Sequence, residues 1–122
     1  MILLVEDEAI PRYAFARILR GEGHEVMEAA DGEEALSLLG QHQIDLMITD
    51  LVMPRLDGFA LTSETRQKWP NMPIIVMSGY VAQYAAEVLD GSTTEFLSKP
   101  IDPSILIATV QRLLPKSCRL KA

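Results

Sequence analysis

Four short segments of the chain end in residues equipped for chemistry: Val5-Glu6-Asp7, Thr49-Asp50, Val76-Met77-Ser78 and Phe96-Leu97-Ser98-Lys99-Pro100. A fifth, Met27-Glu28, ends without an evident role. Each follows a β-branched or aliphatic run, the pattern of a buried strand. Three carboxylates, a hydroxyl and an ammonium gathered at strand ends suit a Mg²⁺-dependent phosphoryl acceptor. The carboxylates are hard oxygen ligands for the cation, and one of them can also act as a nucleophile. Carboxylates this close repel: at about 4 Å and an effective dielectric near 20, one like-charged pair costs on the order of 4 kcal/mol. The site is therefore expected to take up a divalent cation readily.

Positioning these groups requires strands that all deliver their carboxyl ends to one side. Apolar runs of strand length do alternate with stretches of helical period. Ile2 to Val5 reads as the first strand, and Ile10, Ala14, Phe15, Ile18 and Leu19 recur at helical spacing until Gly21 and Gly23. Pro11 fits only the first turn of that helix. Glu25 to Glu28 is the expected second strand, and Asp31 with Glu34 forms a capping box that opens a helix ending near Gly40. Leu46 to Thr49, Ile74 to Met77 and Glu95 to Ser98 complete the strands. Helices are expected over Gly58 to Lys68, over Val81 to Leu89 and after the Asp102-Pro103 cap, the last with a stripe of Leu106, Val110, Leu113 and Leu114. Alternating strands and helices imply right-handed crossovers and a parallel sheet covered on both faces. The polar second and fifth strands read as its edges. In such a sheet ligands bind beyond the carboxyl ends of the strands, where Glu6, Asp7, Asp50, Ser78 and Lys99 all fall.

Composition narrows the field further. The 122 residues suffice for a single domain, and 48% apolar with 23% charged residues is ordinary for a globular protein. A net charge of −6 without any basic stripe argues against direct binding of nucleic acid. No signal-like segment opens the chain and no apolar run approaches the roughly 20 residues of a membrane span, so the expectation is a cytoplasmic protein with no membrane insertion. The single cysteine, Cys118, fits a reducing compartment. His24 and His42 lie in polar connections and are expected to be solvated.

In this order, Leu3-Leu4-Val5-Glu6-Asp7-Glu8, Ile48-Thr49-Asp50-Leu51-Val52-Met53-Pro54, Leu56-Asp57-Gly58, Val76-Met77-Ser78-Gly79 and Lys99-Pro100 resemble the receiver domain of bacterial two-component response regulators. The resemblance spans essentially the whole chain: a receiver domain over residues 1–115 and a short tail over 116–122. It implies a flavodoxin-like, doubly wound five-stranded sheet of order 2-1-3-4-5 with five helices, an architecture for which the chemotaxis receiver is a standard illustration. It also assigns roles. Asp50 is the phosphoacceptor. Asp7, Asp50 and the Val52 carbonyl ligate Mg²⁺ (or Mn²⁺), with Glu6 acting mainly through water. Lys99, aimed inward by a cis Lys99-Pro100 peptide, pairs with Asp50 and then with the phosphoryl group, which Ser78 also binds.

The implied partners are a histidine kinase or histidine phosphotransfer domain, met by residues such as Ile10, Pro11, Tyr13 and Ala14, and an unknown downstream protein. Ser78 and Phe96 are the implied switch pair, reshaping the surface of the 81–89 helix, the fifth strand and the last helix. Because Phe96 lacks a phenol oxygen, that switch must rest on packing. Val52 and Tyr80 offer a hydrolytic water little help, so slow dephosphorylation is expected from a signalling protein that is not an enzyme, either monomer or weak dimer. The stretch from Met77 to Tyr80 with the approach to Lys99 looks more like receivers of hybrid sensor kinases than those of transcription factors.

Three rivals remain. A haloacid-dehalogenase-type phosphatase needs a second acid where Val52 stands, and a flavodoxin-like cofactor binder would find its phosphate repelled by Glu6-Asp7-Glu8. A receiver-like interaction module that is never phosphorylated would have little use for the intact acid, hydroxyl and lysine set.

Overall fold

A computed structural model describes residues 1–53, 55–79 and 94–114. Its strands are β1 (Ile2–Val5), β2 (Val26–Ala29), β3 (Leu46–Asp50), β4 (Ile74–Ser78) and β5 (Thr94–Ser98). Its helices among the described residues are α1 (Ala9–Gly21), α2 (Gly32–Gln41), α3 (Gly58–Lys68) and α4 (Pro103–Leu113). The helix expected over Val81 to Leu89, Tyr80 and the 116–122 tail lie outside the described residues. All strand pairs are parallel, in the order β2-β1-β3-β4-β5.

The apolar runs explain this order. β1, β3 and β4 are buried along their whole length, whereas β2 and β5 are buried only in part. A strand buried on both faces belongs in the middle of a parallel sheet. Alternate residues of one strand feed two separate cores. Leu3 and Val5 join Ala35 and Leu39 of α2 and Leu61 of α3, while Ile2 and Leu4 join Ala16 and Leu19 of α1 and Leu106 and Val110 of α4.

The helix starts follow side-chain chemistry. Asp31 accepts the Glu34 amide at 2.8 Å, and the Glu34 carboxylate reaches back to the Ala30 amide at 2.6 Å, one residue earlier than the usual capping box. Asp57 caps α3 through the Ala60 amide, and Asp102 caps α4 through the Ser104 amide. At the end of α1 the chain turns through Gly23, whose φ of 91° only glycine adopts freely.

One expectation fails. His42 is exposed, but His24 is half-buried, and its Nε2 is enclosed without a hydrogen-bond partner. Its backbone amide donates to the Leu19 carbonyl, which draws the ring toward the α1 terminus. Burial pushes its imidazole below the usual pKa despite the opposing charge of Glu22.

Candidate functional site

Register brings the acidic residues together. Val5 pairs with Thr49 across β1 and β3, so the next residues in each strand direction, Glu6 and Asp50, emerge side by side. Asp7 follows in the turn to α1. Glu6, Asp7 and Asp50 each place a carboxylate oxygen within 4.8 Å of the others. Glu6 is only 1% exposed and Asp50 only 6%, so water screens their repulsion poorly.

The Glu6 carboxyl registers that crowding. Its pKa is pushed up to about 7, chiefly by burial, then by the Asp50 charge and a hydrogen bond with Asp7; the Glu8 amide and the Lys99 charge pull the other way. An all-oxygen set this close, its negative charge offset only in part by Lys99, fits a hard divalent cation.

Lys99 enters from the far side of the sheet. β4 and β5 pair Ser78 with Ser98, and the Lys99 amide donates to the Ser78 carbonyl at 2.9 Å. The Lys99-Pro100 peptide is cis. The Lys99 ammonium lies 2.9 Å from Asp50 Oδ2 and 3.9 Å from Glu6 Oε1. Burial alone would lower its pKa, but the hydrogen bond and charge of Asp50, helped by Glu6 and Glu8, outweigh it and raise the value. Ser78 is 2% exposed at the end of β4. Phe96 pairs in register with Val76 and is half-buried against the α2–α3 core. Val52 is 62% exposed on the rim.

Of the residues expected from their spacing, Glu6, Asp7, Asp50 and Lys99 thus converge, and three supporting residues carry little or no signal in a linear reading. The buried Thr49 hydroxyl donates to the Asp50 carbonyl at 2.9 Å. Gly58 follows because its amide bonds the Leu51 carbonyl, and a Cβ there would stand 2.1 Å from the Asp50 carbonyl oxygen. Arg12 donates from Nη1 to the Glu6 carbonyl at 2.7 Å. Only the Leu56-Asp57-Gly58 motif hints at the second of these.

Chemically, the site offers a buried carboxylate able to act as a nucleophile, an oxygen cluster beside it suited to a hard cation, and an ammonium already in contact. Among the described residues no helix is long and apolar enough to cross a membrane.

Comparison with known proteins agrees with this geometry. The family model described as response regulator receiver domain matches residues 2–111. The chain is similar to sensor kinase CckA of Brucella abortus, 37% identical over 118 residues, which cover 94% of this chain and 12% of the kinase. It is equally similar to the transcriptional regulatory protein PdtaR of Mycobacterium tuberculosis, 38% identical over 112 residues, or 90% of this chain and 54% of that protein. It thus spans about half or less of the length of these curated relatives. Among solved structures, the response regulator TrrA of Thermotoga maritima in complex with Mg²⁺ and beryllofluoride superimposes with a TM-score of 0.84 at 30% identity, covering 93% of this chain and 97% of that one. With fold, site and sequence in accord, the chain belongs to the response regulator receiver domain family.

Proposed function

We propose that this chain accepts a phosphoryl group on Asp50 from the phosphohistidine of a histidine kinase or histidine phosphotransfer domain. The observation that carries the reading is the contact of Asp50 with Lys99 at 2.9 Å inside a cluster that also holds Glu6 and Asp7. Mg²⁺ or Mn²⁺ would be held by Asp7, Asp50 and the Val52 carbonyl, with Glu6 behind them. When bound, the cation neutralises charge on the phosphoryl oxygens.

The chain's own residues supply the rest. An Asp50 carboxylate oxygen forms a bond to phosphorus as the bond from phosphorus to the donor imidazole breaks. The imidazole nitrogen keeps the electron pair and takes a proton from solvent. Lys99 holds Asp50 in line beforehand and then turns to a phosphoryl oxygen. No general base is required, because an ionised carboxylate attacks without losing a proton.

Burial also sorts the residues expected to meet the donor. Ile10 is 84% exposed and Tyr13 and Ala14 are exposed beside it, while Pro11 is half-buried. Output would run through Ser78 and the half-buried ring of Phe96. TrrA was solved with Mg²⁺ and beryllofluoride, the phosphoryl mimic that tests this reading. Titration of beryllofluoride with Mg²⁺ is expected to shift the amide resonances of Asp50, Ser78 and Lys99 in the wild type and to leave Asp50→Ala unchanged. Shifts that persist in Asp50→Ala, or an unresponsive wild type, would refute it.

A further inference from the structure

β2, the strand whose Glu28 has no evident role in the sequence, touches the site through one intermediary. Arg12 projects from the first turns of α1, and its guanidinium reaches two groups at once. Nη1 donates to the Glu6 carbonyl at 2.7 Å, and Nε stands 3.4 Å from Glu28 Oε1. The other Glu28 oxygen is engaged by Arg20 Nη1 at 3.1 Å, and Arg20 Nη2 donates to the Val26 carbonyl at 2.8 Å. Glu28 is thereby fixed at both oxygens, and Arg12 is held by two anchors on different elements.

The consequence falls on the turn between β1 and α1. The Glu6 amide donates to the Ala29 carbonyl at 3.0 Å, so the backbone of Glu6 is tied to β2 directly at its N–H and through Arg12 at its C=O. That peptide leads into Asp7. Its orientation therefore sets where two of the three carboxylates of the cluster point. Mutual repulsion of those carboxylates drives them apart, and a rigid turn opposes that spreading. A planar guanidinium suits this duty: it serves a carbonyl and a carboxylate at fixed angles, which a lysine ammonium on a flexible stem does not.

We infer that Arg12, anchored by Glu28, is a positioning residue for the divalent-cation site, holding the Glu6-Asp7 turn so that its carboxylates converge with Asp50. This rests on the reading of Glu6, Asp7 and Asp50 as a cation site. The brace touches neither the cation nor the phosphoryl group, so its removal acts through metal affinity. Partners one step removed from the ligands typically change affinity by about 10- to 100-fold.

Calorimetric titration with Mg²⁺ alone tests this. The wild type is expected to bind, and Arg12→Ala and Glu28→Gln are each expected to raise Kd about tenfold. Their double variant should be no weaker than the worse single one, since both break the same brace. Arg12→Lys, which keeps the charge but not the fork, should resemble Arg12→Ala. Glu28→Gln keeps the side-chain shape and serves if Arg12→Ala fails to fold, and its melting with the metal chelated shows whether folded protein was titrated. A wild type that binds Mg²⁺ while folded Glu28→Gln binds it equally well would overturn the brace alone. A wild type that binds no Mg²⁺ would overturn the brace and the cation site together.

Discussion

Glu6 stands under two opposing demands. As part of a cation site it must be ionised, yet burial and Asp50 hold its pKa near 7 in the metal-free protein. Its proton therefore competes with the metal. The apparent Mg²⁺ affinity should fall as pH drops through 7, by up to about tenfold for each unit below it, and Glu6→Gln should flatten that dependence. A wild-type affinity unchanged between about pH 8 and pH 6 would contradict this. Stability of the metal-free protein should run the other way. Because the folded pKa lies above the ordinary carboxylate value of 4.5, the folded state binds the extra proton between 4.5 and about 7. That contribution is present at low pH and is lost as pH rises through 7. His24, whose pKa is lowered, opposes this trend below its ordinary value of 6.5, so comparison with Glu6→Gln isolates the Glu6 part.

At the scale of elements, the seam between β3 and α3 is a tight join beside Asp50. Gly58 begins α3 directly against the Asp50 backbone, where a Cβ would meet a carbonyl oxygen at 2.1 Å and the Leu51 Cα at 2.8 Å. Neither backbone atom can yield as a flexible side chain would. Gly58→Ala should therefore destabilise the fold by about 1–3 kcal/mol, the usual cost of overpacking, as read by denaturant unfolding. A change within about 0.5 kcal/mol, ordinary for a harmless surface substitution, would show that the seam can relax.

Legibility in the sequence follows the same physics. β1, β3 and β4 are readable because strands buried on both faces are almost unbroken apolar runs, and their ends deliver Glu6, Asp50 and Ser78. The second strand lies one residue later than expected, over Val26–Ala29, since its polar residues blur the boundary. Glu28 looks idle in a linear reading because its partner, Arg12, is brought to it only when α1 packs back across the sheet. His24 misleads for a similar reason: a polar neighbourhood in sequence says little about which ring the α1 terminus covers.

For the whole molecule, the strand order does the assembling. With β1 and β3 adjacent and β4 and β5 following, the acids arrive from one half of the sheet and Ser78 and Lys99 from the other. Asp50 sits on the central strand, where both halves reach it. The second strand, at the far edge, takes part through the Glu28 brace rather than through a group in the pocket. The chain's place in the receiver family and its geometry converge on one proposal above the rest: Asp50 takes up a phosphoryl group with the help of a divalent cation. Incubation with acetyl phosphate and Mg²⁺, followed by intact-protein and peptide mass spectrometry, tests it most directly. A single added phosphoryl group is expected on the peptide containing Asp50, absent from Asp50→Asn and absent when the metal is chelated. An unmodified wild type, or an adduct that survives in Asp50→Asn, would contradict it.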